Sequence, residues 1–110
     1  MILSLLSLLL AAALAVLGVL FLVNPKMAFA LSAHEPQALP AVMGGRYLGL
    51  AAIVVGLVIM ADWPALALAF AIGTGLGLID AVLVGRAGGR IAPHLGAAAA
   101  SAALAVACAL

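Results

Sequence analysis

The chain has 110 residues, 70% of them drawn from Ala, Val, Ile, Leu, Met, Phe, Trp, Tyr and Cys, with four Lys/Arg against three Asp/Glu. Soluble domains carry about a quarter of their residues as charges, so this composition excludes one and points to lipid as the solvent. Four spans of about 20 residues fit the length and leave no room for an extramembrane catalytic domain, while a single cysteine, Cys108, excludes disulfide scaffolds, CxxC pairs and thiolate metal sites.

Residues 1–23 form an unbroken apolar run with two serines, ending at Asn24-Pro25-Lys26, and read as the first span. Ala28-Phe29-Ala30 has the small-x-small form of a signal-peptidase site. A signal peptide, however, needs a basic start and a shorter apolar stretch, so the segment is expected to be a retained span. Asn24 can cap a new helix with Pro25 at its first position, which predicts a short interfacial helix ending at His34-Glu35-Pro36. Residues 36–40 carry two prolines, each biasing its predecessor away from helix, and read as loop.

The second span is expected at about 44–61, with Tyr47 near one interface and Trp63 just past the other, as aromatic belts require. Asp62-Trp63-Pro64 reads as a tight turn in which Asp62 caps a third span over about 64–85 and Pro64 sits in its first turn. Residues 86–93 make the next loop, and an alanine-rich fourth span follows over about 94–110. Its weak apolar drive implies that it relies on close packing. The expected fold is all-α: a single-domain transmembrane four-helix bundle with a short interfacial helix between spans one and two.

Four spans place Lys26, Arg46, Arg86 and Arg90 on one side, opposite Asp62 and both termini. The positive-inside rule makes the basic side cytoplasmic and puts both termini outside the plasma (inner) membrane. The same folding-back gathers His34, Glu35, Arg46, Asp80 and His94 in one leaflet. Asp80 lies five residues inside Gly85, about 7 Å deeper at the helical rise, and a carboxylate at that depth faces the bundle and has a partner. Ala69, Gly73, Gly77, Asp80 and Val84 share a helix face, with Gly73 and Gly77 forming a GxxxG pair. Gly45, Gly49 and Gly56 give span two its own small-residue stripe. These glycines are the candidate helix-packing positions, spans two and three are expected to pack along them, and Arg46 then becomes the natural partner of Asp80. On span four, His94, Ala97, Ala98, Ser101, Ala105 and Cys108 share a face that can close over the pair.

Arg46, Asp80 and His94 are therefore the candidate ligand-binding residues. Each has a plain structural reading too: an ion pair fixing helix register, a histidine merely starting a helix, a solvated His34-Glu35 pair, and a cysteine used for packing. No metal-ligand spacing, GxSxG or phosphate loop occurs, Gly73-Thr74-Gly75-Leu76-Gly77 lying inside an apolar span. No metal, cofactor or nucleic-acid partner is expected. Small multidrug transporters share the length, but their proton-exchanging acid has no counterpart in the first span.

Gly45-Arg46-Tyr47-Leu48-Gly49-Leu50 opening a span, Asp80 late in the next, Gly85-Arg86 ending it and His94 opening the last resemble a family of small membrane proteins known only as a domain of unknown function. More distantly the pattern is similar to the DoxX-like four-helix membrane proteins. The resemblance covers about residues 24–110 and implies a four-helix fold with Arg46, Asp80 and His94 as its signature polar residues, without an established activity. Three functions fit. A cytoplasmic-leaflet pocket could bind a hydrophobic or lipid-like molecule, with Arg46 holding an anionic group and His94 moving a proton. Alternatively, the chain could be an accessory subunit, docking by its glycine stripes on a partner membrane subunit or on a second copy of itself. The third is a membrane-embedded isomerase, cyclase or quinone-linked oxidoreductase using Asp80 and His94 as acid and base.

Overall fold

The computed structural model describes residues 1–32 and 36–110. Among them are five α-helices and one 3-10 turn: α1 (Ile2–Val23), α2 (Pro25–Ser32), the 3-10 turn (Pro36–Ala38), α3 (Leu39–Ile59), α4 (Trp63–Arg86) and α5 (Ala92–Ala109). Four are long and apolar enough to cross a membrane, with a short helix between the first two. His34 and Glu35, the expected loop pair, lie outside the described residues. Helix is what these sequences require once lipid is the solvent, because only a helix satisfies every backbone group within one segment. The hydroxyls inside the spans follow the same rule, Ser7 Oγ donating to Leu3 O at 2.7 Å and Thr74 Oγ1 to Phe70 O at 3.0 Å.

The described residues fall into two compact units, Met1–Arg46 and Tyr47–Leu110. In the first, α1 has no buried residue, as expected of a helix whose covering is lipid. Asn24 ends α1, its N–H donating to Leu20 O, and its Oδ1 accepts from the Met27 N–H at 3.3 Å, starting α2. The chain folds back sharply enough for Phe29 to meet Phe21 edge-to-face, ring centroids 5.1 Å apart and planes at 88°. Ala28 beside it is fully buried. The Ala28-Phe29-Ala30 segment is thus helical and packed.

The second span begins earlier than the sequence suggested. α3 starts at Leu39, with Pro40 inside its first turn. Proline costs a helix nothing there, because first-turn N–H groups have no intrahelical acceptor. The helix also ends earlier, at Ile59, in a closed cap: Asp62 N–H donates to Leu57 O and Ala61 N–H to Val58 O. This is the Schellman pattern, and Ala61 occupies its left-handed position at φ 54°. Asp62 then starts α4, its Oδ1 accepting from the Ala65 N–H at 3.1 Å with Pro64 in the first turn, as the sequence indicated. A second Schellman closure ends α4. Gly89 N–H donates to Val84 O and Gly88 N–H to Gly85 O, with Gly88 at φ 79°.

The interface that builds the second unit is between α4 and α5. This corrects the expectation that the Gly73–Gly77 stripe packs on span two. A Cβ placed on Gly77 would stand 3.0 Å from Ala98 Cβ and 3.2 Å from its Cα and N, and one on Gly73 would stand 3.5 Å from Ser101 Oγ. By contrast, among the described residues a Cβ on Gly49 or Gly56 meets nothing within 4 Å. The reason is side-chain size. α5 offers alanine and serine where the glycine notches of α4 arrive, so the two backbones approach more closely than a Leu- or Val-bearing helix allows. Leu66, Ala81 and Ala98 are buried in consequence, at 2%, 6% and 3% exposure.

Candidate functional site

The α4–α5 hairpin determines where Asp80 and His94 stand. Gly85 meets Ile91, Gly77 meets Ala98 and Gly73 meets Ser101, so in this antiparallel pair the numbers of facing residues sum to 174–176. Asp80 and His94 sum to 174. The two side chains therefore leave their helices at the same level, to within one residue or about 1.5 Å of rise.

They also leave on the same flank. At about 100° per residue, Asp80 lies about 60° to one side of Gly77, and His94 lies about 40° to the corresponding side of Ala98. Gly73 and Ser101, already known to meet, lie on that same flank one turn or more further along. Asp80 and His94 are both half-buried, and no hydrogen bond or ion pair between described residues joins them. A carboxylate and an imidazole so placed can hold a third group between them by hydrogen bonds.

Arg46 and Tyr47 sit on α3, where the first unit ends and the second begins; both are exposed and both engage a polar or ring partner. Gly45 and Gly49 are exposed on the same helix and Gly56 is half-buried. Cys108 is half-buried near the far end of α5, lining with Trp63, Pro64 and Leu110 a cleft of about 570 Å³. Among the described residues no group of three His, Cys, Asp or Glu side chains gathers as a metal site would need.

One feature of the hairpin had no signal in the sequence. On the flank opposite Asp80, α4 and α5 enclose an open groove of about 480 Å³. Leu78 and Val82 form one wall, Ile91 and Leu95 the other, Ala81 and Gly85 the floor, and Arg86 stands at one end. Finding it required knowing that α4 pairs with α5. Neither helix alone distinguishes these residues from any lipid-facing set.

Four helices long and apolar enough to cross a membrane, carrying few ionisable residues, point to a multi-pass membrane protein. The chain belongs to the family described as a domain of unknown function, DUF4267, whose model matches residues 11–108. No curated protein and no solved structure matches it.

Proposed function

We propose that the protein is a four-helix protein of the plasma membrane that holds a hydrophobic molecule with a polar head in its cytoplasmic leaflet, between Asp80 and His94. The observation that carries this reading is the level match of Asp80 and His94 on one flank of the α4–α5 interface. Ionisable side chains inside a span are costly and are retained for a partner or a ligand. In this reading Asp80 accepts a hydrogen bond from the head group, and His94 donates one or passes a proton. The basic residues Arg86 and Arg90, at the same end of the hairpin, support a cytoplasmic placement of that end. The distant DoxX-like resemblance agrees with the four helices and adds no chemistry.

The test is the small-molecule content of the protein purified in mild detergent. Organic extraction and mass spectrometry of the wild type should find a co-purifying hydrophobic compound, and Asp80→Ala and His94→Ala should each lower its occupancy while helicity and assembly persist. Equal occupancy in all three proteins sinks the proposal.

A second reading, an accessory subunit, draws on the open space beside Gly49 and Gly56, a notch into which a helix of another subunit or a second copy fits. Gly49→Leu/Gly56→Leu would abolish such an assembly while leaving ligand content unchanged.

A further inference from the structure

The groove on the opposite flank of the hairpin has a separate chemistry. Its walls are apolar along their whole length, and Leu78, Val82, Ile91 and Leu95 keep 43–54% of their surface exposed. The floor is low because Ala81 and Gly85 are small, Ile91 Cγ2 coming within 3.1 Å of where a Gly85 Cβ would stand. From Leu78 to Arg86 it runs about 12 Å along the helix, and its volume of about 480 Å³ falls within the roughly 300–1,000 Å³ of clefts that hold small molecules.

Its charge is one-sided. Arg86 stands at the mouth, and Arg90 follows in the connecting loop. Both are exposed, and neither has an ion-pair partner among the described residues. The second unit contains two carboxylates: Asp62 caps the far end of α4, and Asp80 lies on the other flank. An apolar channel ending at the Arg86 guanidinium, with the Arg90 guanidinium four residues further along the chain, is complementary to an acyl chain ending in a phosphate.

We propose that this groove binds one anionic phospholipid, its acyl chain between the α4 and α5 walls and its phosphate on Arg86 and Arg90. Guanidinium suits this task because it pairs with phosphate oxygens through two parallel N–H bonds. The proposal rests on the membrane location and on the cytoplasmic placement of the Arg86–Arg90 end, but not on the Asp80–His94 pocket.

The experiment titrates the purified full chain with phosphatidylglycerol or phosphatidylcholine of matched acyl chains, reading bound lipid by native mass spectrometry and protection against heat by circular dichroism. The wild type should prefer phosphatidylglycerol. At about fivefold per charge, Arg86→Gln/Arg90→Gln should cut that preference roughly 25-fold, and Val82→Trp, which fills the channel, should remove the bound lipid while helicity is kept. Ser101→Ala, on the Asp80 flank, should retain the preference, which separates this groove from the opposite flank. The proposal is overturned if the wild type shows no headgroup preference, if the double glutamine variant keeps it, or if Ser101→Ala loses it. It is also overturned if Val82→Trp changes only the oligomeric state, without regard to headgroup, because the groove would then seat a second copy of the chain.

Discussion

Replacing Gly77 by alanine sets two effects of known size against each other. Alanine favours helix over glycine by about 1 kcal/mol. Against that, the new methyl would stand 3.0 Å from Ala98 Cβ and 3.2 Å from the Ala98 Cα and N, whereas carbon–carbon contacts are optimal at about 3.5–4.0 Å. Two of the three opposing atoms are backbone, so relief requires α5 to move by about 0.5 Å along the whole contact, and overpacking of this kind costs roughly 1–3 kcal/mol. Gly73→Ala is the internal control. Its methyl meets Ser101 Oγ at 3.5 Å, an ordinary contact, so that variant keeps the propensity gain with little overpacking. Gly77→Ala should therefore be less stable than Gly73→Ala by about 1–3 kcal/mol. Unfolding by dodecyl sulfate in mixed micelles measures this, and Trp63 is a suitable probe: it is the sole tryptophan and lines a cleft with the end of α5. If Gly77→Ala proved as stable as Gly73→Ala or more so, the close α4–α5 approach would be wrong.

The two Schellman closures predict opposite responses. Gly88→Ala forces a side chain into φ 79° and should destabilise by about 1 kcal/mol, while Ala61→Gly removes the same strain at φ 54° and should stabilise by up to about 1 kcal/mol; both are read from the same unfolding curves. Asp62→Ala, which leaves the Ala65 N–H without its acceptor, should cost about 0.5–2 kcal/mol, and Asp62→Asn should recover most of it. A double-mutant cycle of Phe21→Leu and Phe29→Leu should return a coupling of about 0.5–1.5 kcal/mol for the edge-to-face pair. A coupling near zero would mean that α2 does not fold back on α1 in the membrane.

Much of the fold was legible because lipid leaves a helix few ways to begin and end. Asn24, Asp62 and Pro64 act where their capping chemistry places them, and the first span runs over the residues its apolar pattern marked. Pro40 misled because a proline argues against helix everywhere except in the first turn, and sequence alone does not reveal which turn is first. The pairing of helices was harder. Both α3 and α4 carry small-residue stripes, and the deciding factor was the partner surface: Ala98 and Ser101 on α5 accept the Gly73–Gly77 notches. A stripe states that something comes close, and only the opposite face states what. Asp80 and His94 were legible as ionisable residues near one end of their spans. That they share a level depends on the hairpin register, which the Gly85–Ile91 and Gly77–Ala98 approaches set.

The position of the tightest approach has a mechanical consequence. Where Gly77 lies against Ala98 the backbones are in virtual contact, so any change in crossing angle must turn about that point as a lever turns about its fulcrum. Asp80 is three residues away, about 4.5 Å along the axis, and Trp63 is fourteen residues away, about 21 Å. A rotation of about 10° would thus move the helices at Asp80 and His94 apart by less than about 1 Å while spreading the Trp63 end by nearly 4 Å. Such a rotation would open the hairpin mainly at its far end, and the carboxylate and imidazole beside the fulcrum would feel the least of it.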